Sequence, residues 1–305
     1  MRIGIIGRTH MLLETAKLLD QNGFILTFIV TSKSESHYEA NEADFREFAK
    51  SKKIPYYNTP DLESIYSKMA NTKTDVVISI NWINLIKPNI LKLFKYGILN
   101  AHAGDLPRYK GNACPNWAIL NFEKTVGLSI HKMNEDLDDG PVLVKELMPI
   151  NEETYVSDIY KWLSERIPLI YLEILKNNSL ENFLEVDSNI QTLRTFPRKH
   201  IDSKINWEKS TKDILALIRA SSYPFDGAYS FLDSNSKKVR IFRASEKDVD
   251  FEFMAIPGQV CYLDEDKPII ATKDGLIRLD ECYIENLSVK DSAKMICQSL
   301  RNRLM

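Results

Sequence analysis

Residues 2–31 read R-I-G-I-I-G, then R-T-H-M-L-L-E-T-A-K-L-L-D-Q-N-G, then F-I-L-T-F-I-V-T. The first block is a short apolar run that ends in Gly7. In the second, Leu12, Leu13, Ala16, Leu18 and Leu19 recur at helical spacing, and Gly23 is a stop signal. The third is β-branched and aromatic without polar alternation, as expected of a strand buried on both faces. Strand, helix and strand in that order open a parallel α/β unit.

The pattern continues outward. Strands are predicted at 54–57, 75–80, 98–102, 125–133 and 142–150, helices at 41–50, 62–69 and 154–176, and a polar loop at 32–40. This predicts a Rossmann-like domain with a parallel sheet over residues 1–180. A polar linker follows at 181–204. Residues 205–305 then change character. One helix at 212–220 precedes strand-like runs at 227–232, 239–244, 258–263, 268–272 and 276–284. Pro224, the stretch 233–236, Pro257-Gly258 and Asp274-Gly275 are the turn signals. That predicts a small OB-like β-barrel domain, closed by a helix at 291–304.

The length of 305 residues suits two domains at ~100–200 residues each. Forty basic and 42 acidic residues give a net charge of −2, which argues against a protein built chiefly to neutralise a polyanion. Four cysteines without paired spacing exclude a disulfide framework and a zinc finger. Apolar runs such as 76–80 fall far short of the ~20 residues that span a bilayer. The N-terminus lacks a secretory pattern. A cytoplasmic protein without a membrane span is expected.

Gly4 and Gly7 make only G-x-x-G, so the dinucleotide fingerprint is incomplete and close strand–helix packing is the simpler reading. The helix start after Gly7 still suits a phosphate, with Arg8 and Thr9 as candidate contacts. The densest chemistry lies at 100–115, N-A-H-A-G-D-L-P-R-Y-K-G-N-A-C-P. Asn100 and His102 are two apart at the end of a predicted strand, so they share a face at the sheet edge where α/β sites form. Residues 135–141, E-D-L-D-D-G-P, leave three readings open: an exposed acidic loop, a calcium loop without EF-hand spacing, or a carboxylate that pairs with His102. No G-x-S-x-G elbow supports a serine hydrolase. Cys114, between Ala113 and Pro115, is a poor candidate nucleophile.

The segment 100–120 resembles the signature of folate-dependent formyltransferases, in which Asn-x-His precedes a Leu-Pro-x-aromatic-basic-Gly loop. H-K-M-N-E-D-L-D-D-G-P at 131–141 is similar to that family's Asp-x-Gly segment. I-N-W-E at 205–208 and I-R-A-S-S-Y-P-F-D-G-A-Y at 218–229 resemble the start of the second domain of methionyl-tRNA and nucleotide-sugar formyltransferases. The resemblance spans roughly residues 1–290. It implies a catalytic triad of Asn100, His102 and Asp138, with 10-formyltetrahydrofolate as co-substrate and no metal. Pterin contacts are implied at Asn84, Leu85, Ile86, Asn134, Glu135, Asp136, Leu137 and Asp138. Asn112 stands where some relatives carry a cofactor-contacting Arg, and Gly104-Asp105 replaces the family's Ser-Leu.

The reaction so implied is transfer of a formyl group to an amine. Asn and imidazolium donors suit the developing oxyanion, and a histidine paired with a carboxylate suits the amine proton. The runs at 116–120 and 130–133 resemble those of sugar N-formyltransferases more than those of the tRNA enzymes, and that resemblance implies a nucleotide-linked amino sugar, a 4-amino-4,6-dideoxyhexose, in surface glycan biosynthesis. The alternatives are methionyl-tRNA formyltransferase, which would bring nucleic acid in as a partner, and a non-catalytic nucleotide-binding module. A homodimer is one assembly open to such a chain.

Overall fold

A computed structural model of the chain describes residues 1–35, 37–185, 190–233 and 236–305. Parts of the loop expected at 32–40, the linker expected at 181–204 and the turn expected at 233–236 lie outside the described residues. The chain forms two compact units. One is Met1–Cys114, Thr125–Pro149 and Tyr160–Phe196; the other is Pro115–Lys124, Ile150–Ile159 and Pro197–Met305.

The elements up to residue 102 are β1 (Arg2–Gly7), α1 (His10–Gln21), β2 (Ile25–Thr31), α2 (Glu42–Lys52), β3 (Tyr56–Asn58), α3 (Tyr66–Ala70), β4 (Val76–Ile80), α4 (Pro88–Leu91) and β5 (Ile98–His102). Then come β6 (Lys110–Gly111), α5 (Cys114–Leu120), β7 (Thr125–Lys132), β8 (Val142–Pro149), α6 (Val156–Lys176) and β9 (Arg194–Thr195). The main sheet has the order β3-β2-β1-β4-β5-β7-β8. It is parallel through β5, but β7 runs antiparallel to β5 and to β8. The sheet is therefore mixed rather than wholly parallel. Nine residues without a helix join β7 to β8, too few for a crossover that would return the chain to a parallel start.

Ile3, Ile5, Phe28, Ile29, Val76 and Ile98 are fully buried, each stabilising by about 1.5–3 kcal/mol. α1 packs on β1, β2 and β4 and buries Met11, Leu12, Ala16 and Leu19, while Phe28 and Ile98 pack with Leu62, Ile65 and Ile90. A Cβ on Gly7 would collide with the Ile80 carbonyl, and its φ of +146° favours glycine. The N-terminal glycine serves strand packing, as its incomplete fingerprint suggested. β6 and β9, outside the predicted strands, form a two-residue parallel ladder.

The second unit holds α7 (Thr211–Ser221), β10 (Ala228–Leu232), β11 (Lys237–Glu246), β12 (Val260–Asp264), β13 (Lys267–Ala271), β14 (Leu276–Ile284) and α8 (Val289–Ile296). Its antiparallel sheet has the order β10-β11-β14-β13-β12. Ile214 and Ile218 of α7 and Ile296 of α8 pack on Val239, Ile241 and Ile277. Ser210 and Ser288 cap α7 and α8, worth about 1 kcal/mol each. The last helix stops at Ile296 instead of reaching 304. Beyond it, Phe231 and Met305 exchange backbone hydrogen bonds of 3.0 and 2.8 Å, and Leu304 donates to Gly258 O at 2.8 Å. The segment 302–305 thus satisfies both sheet edges, β10 and the start of β12. A longer helix would forfeit those bonds. In the same unit, Asn116 donates to Ala220 O at 2.7 Å and Arg219 to Asn151 O at 2.9 Å, tying the early segments to α7.

Candidate active site

β5 presents Asn100 and His102 on one face at its carboxyl end. Antiparallel β7 sets His131 opposite Asn100 and Ser129 opposite His102. Asp138 lies in the loop to β8, in a left-handed conformation (φ 50°) that Asp tolerates. Its carboxylate lies between two imidazoles: Oδ2 is 3.5 Å from His102 Nδ1, and Oδ1 is 3.5 Å from His131 Nε2. Asn100 Nδ2 is 3.2 Å from the same His131 nitrogen. The three side chains expected to converge do so, with His131 as the link between Asn100 and Asp138.

The segment 103–113 folds back over this cluster. Ser129 Oγ donates to Gly104 O at 2.7 Å and accepts from Leu106 N at 3.3 Å. Gly111 N donates to Asp138 Oδ2 at 2.9 Å. Tyr109 O lies 2.6 Å from His102 Nε2; a carbonyl only accepts, so that nitrogen carries its proton. Cys114 Sγ is 3.7 Å from Nε2. A Cβ on Gly104 would strike both the His102 ring and the Tyr109 carbonyl, so this close passage requires glycine.

Burial works against a charged His102, but the Cys114 contact, the Asp138 charge and the Tyr109 carbonyl outweigh it and raise its pKa above the ordinary value. Burial likewise works to raise that of Asp138. The hydrogen bond to His131, the His102 charge and the Gly111 N–H prevail and lower it. The imidazole thus favours its charged form and the carboxylate its ionised form, beside an amide donor.

The other expected contacts fall in three places. Asn84, Leu85 and Ile86 line a cavity of about 240 Å³ together with Pro60, Leu62 and Trp82; none of the triad lines it. Asn134, Glu135 and Asp136 are on the β7–β8 loop beside the half-buried Leu137, and Asn112 is exposed after β6. Arg8 is only 8% exposed. It donates to Asn81 O at 3.3 Å and Lys33 O at 2.9 Å, and its guanidinium lies 5.5 Å above the Tyr38 ring. Beside it, the Thr9 and Ser32 hydroxyls are buried without a hydrogen-bond partner.

His131, Ser129, Cys114 and Ser32 were not among the expected site residues. For the first two a signal existed: Leu128, Ser129, Ile130 and His131 alternate apolar and polar. Among the described residues no group of three or more His, Cys, Asp or Glu is placed to hold a metal. No helix among those residues is long and apolar enough to cross a membrane.

A family model described as Formyl transferase matches residues 3–175, and one described as Formyl transferase, C-terminal domain matches residues 198–298. The chain belongs to the formyl transferase family. This formyl transferase is 28% identical over 271 residues to the bifunctional polymyxin resistance protein ArnA of Wigglesworthia glossinidia brevipalpis. That match takes in 82% of the chain but only 39% of ArnA. It is 29% identical over 225 residues to the methionyl-tRNA formyltransferase of Thermodesulfovibrio yellowstonii, covering 71% of the chain and 68% of that protein. In fold it is similar to WlaRD, a sugar 3N-formyl transferase solved with dTDP and 5-N-formyl-THF. The TM-score is 0.68 at 20% identity, over 94% of this chain and 99% of that one. The N-formyltransferase of Helicobacter canadensis, solved with folinic acid and dTDP-3-aminofucose, gives a TM-score of 0.64 at 20% identity, over 91% and 98%.

Proposed function

We propose that this formyl transferase moves a formyl group from 10-formyltetrahydrofolate to the amine of a nucleotide-linked amino sugar. The observation that carries the reading is the convergence of Asn100, His102, His131 and Asp138. A module that only binds nucleotide has no use for a buried carboxylate shared between two imidazoles. The folate supplies an activated formyl carbon. The cavity beside Asn84–Ile86 suits its flat ring, with the Trp82 indole, the Leu62 and Ile86 side chains and the Asn84 amide on its wall.

The residues divide the chemistry between them. With Nε2–H held by Tyr109 O, the ring nitrogen left to act is Nδ1, facing Asp138. The amine proton passes to this Nδ1–carboxylate pair as nitrogen attacks the formyl carbon, and is returned to the folate N10 as the C–N10 bond breaks and tetrahydrofolate leaves. The Asn100 amide is the side-chain donor placed for the oxygen on which charge develops. His131 Nε2, facing Asp138 Oδ1, orients the carboxylate, with the Asn100 side chain against the same edge of its ring.

The substrate class is supported at the other part of the sheet edge. Arg8, Thr9 and Ser32 sit at the carboxyl ends of β1 and β2, where order reverses between β1 and β4. α1 starts there with no side-chain cap and no acid in its first turn, an arrangement that suits a diphosphate. The dTDP ligands of the two similar solved enzymes agree with it. The 4-amino-4,6-dideoxyhexose and the surface-glycan role expected from sequence belong to the same reading, as does a cytoplasmic location. The curated relatives named methionyl-tRNA formyltransferase favour a second reading, with a charged initiator tRNA as acceptor.

The test is formyl transfer from 10-formyltetrahydrofolate to a panel of 3- and 4-amino sugars on dTDP, UDP and GDP, and to methionyl-tRNA, at rising salt. Transfer to an amino-sugar nucleotide with weak salt dependence is expected. Salt-sensitive transfer to tRNA alone would establish the second reading instead.

A further inference from the structure

Three neighbouring strands of the main sheet set polar side chains in one row. Ser79 of β4 is in register with Asn100 of β5, and Asn100 with His131 of β7. Residues in register project from the same face of a sheet, so the Asn100 carboxamide stands between a hydroxyl and an imidazole. On the far side of Ser79 the row continues with the apolar Ile6 of β1. The same face carries Val77 and Ile98, which pack with Leu62, Ile86 and Ile90. Those last three also line the cavity that suits the folate ring. Ser79 is the single polar residue of β4, whose sequence is V-V-I-S-I. It is fully buried, and its Oγ has no hydrogen-bond partner. A hydroxyl kept in an apolar core without a partner is destabilising, and the strand cannot slip to find one. The Tyr171 hydroxyl donates to Ser79 O at 3.2 Å and to Leu99 O at 3.0 Å, pinning β4 and β5 side by side.

On the other side of Asn100 the donors are in conflict. Its Nδ2 lies 3.2 Å from His131 Nε2, and that nitrogen also faces Asp138 Oδ1 at 3.5 Å. The lowered pKa of Asp138 keeps its carboxylate ionised, so it only accepts, and His131 Nε2 carries the proton that faces it. Two N–H groups then meet across 3.2 Å. A half-turn of the carboxamide removes the conflict: Oδ1 accepts from the imidazole, and Nδ2 turns away from it. Turned in this way, Nδ2 has two hydrogens to place. The formyl oxygen takes one. The other needs an acceptor, and the in-register neighbour with an unused acceptor is Ser79.

We propose that Ser79 is a positioning residue for formyl transfer: its hydroxyl accepts one N–H of the turned Asn100 carboxamide and so aims the other at the formyl oxygen. This rests on the formyl-transfer chemistry proposed above, whichever amine receives the group. Ser79 touches neither substrate and acts through Asn100. Charge builds on the formyl oxygen only as the amine attacks, so aiming the donor raises kcat and leaves substrate binding alone.

A double-mutant cycle tests it, measured as transfer from 10-formyltetrahydrofolate to the amino-sugar nucleotide or methionyl-tRNA that the substrate panel selects. Ser79→Ala should lower kcat by about 10-fold, the scale of one hydrogen bond, with KM for both substrates and Kd for folinic acid unchanged. Ser79→Thr, which keeps the hydroxyl, should recover most of the loss. In Asn100→Ala, which has no carboxamide to aim, adding Ser79→Ala should cost nothing more. The same loss in both backgrounds would overturn the proposal, because Ser79 would then act without Asn100. Wild-type kcat in Ser79→Ala would overturn it too, as would a weaker Kd for folinic acid, which would make Ser79 a folate contact. Failure of the underlying chemistry has a separate signature: Asn100→Ala alone would keep near-normal transfer, and the role of Ser79 would fall with it.

Discussion

Two stretches of one sheet edge treat their polar groups in opposite ways. At the end of β5, the His102 nitrogens, the Asp138 oxygens and the Ser129 hydroxyl have protein partners between 2.6 and 3.5 Å. At the ends of β1 and β2, Thr9 Oγ1 and Ser32 Oγ are buried with no partner. A buried hydroxyl left unpaired costs about 1–3 kcal/mol. The first stretch is organised before any substrate arrives, as catalysis by fixed dipoles requires. The second holds groups whose hydrogen bonds a ligand must supply. The contrast is carried by His102, Asp138 and Ser129 against Thr9 and Ser32, since His131 Nδ1 and the Ser79 hydroxyl beside β5 also lack partners.

The contrast breaks most visibly at β5. His102→Asn or Asp138→Asn should lower turnover by ~100-fold or more, with an unchanged circular dichroism spectrum. Near-normal turnover in either purified variant removes the proposed chemistry. At β1 a different signature is expected. Arg8→Met should raise KM for the sugar nucleotide by ~10-fold or more while kcat holds, the scale of hydrogen bonds to a charged group. Arg8 also holds Lys33 O and Asn81 O. A fall in melting temperature with unaltered KM would reduce it to a loop brace.

Much of the fold and the site is legible in the sequence, for identifiable reasons. The buried parallel strands read from unalternating β-branched runs, and Asn100 and His102 from period-two spacing at a strand end. The direction of β7 does not, because its pattern of burial is the same whichever way it runs. Without that direction His131 stays hidden, since it faces Asn100 only through antiparallel pairing. The sequence overstates the length of α8 because Leu300 and Leu304 continue an apolar spacing, although Leu304 is bound to the sheet edge. Cys114 looks inert from its neighbours Ala113 and Pro115; its relation to His102 arises from the fold-back of 103–113, which no local pattern encodes.

A smaller effect sharpens the contrast by its sign. Ser32→Ala removes a hydroxyl with no partner in the free protein. It should leave the melting temperature unchanged or raised, yet increase KM a few-fold, about the loss of one neutral hydrogen bond. Thr9→Val should behave alike. A lower melting temperature with unchanged KM would mean that these hydroxyls serve the fold and await no ligand.

The smallest expected effect is a displacement along the pH axis. The proton acceptor must be empty for the amine to react, so kcat/KM should rise with pH through the titration of the His102–Asp138 pair. The Cys114 contact and the Asp138 charge raise the His102 pKa, placing the acid limb above the ordinary histidine value of about 6.5. Cys114→Ala, which removes the largest contact favouring the charged ring, should move the limb to lower pH, and Asp138→Asn should move what activity survives the same way. The stability consequences have opposite signs for the two partners. The raised pKa of His102 makes its contacts stabilising below its unfolded value, and that contribution disappears as pH rises through the folded one. The lowered pKa of Asp138 makes its contacts stabilising above its unfolded value, and that contribution disappears as pH falls through the folded one. Melting temperature should therefore fall at both ends of this interval, less steeply in Asp138→Asn. An acid limb at or below the ordinary histidine value, unmoved by Asp138→Asn, would detach His102 from the proton transfer and leave Asn100 and Asp138 to account for the rate.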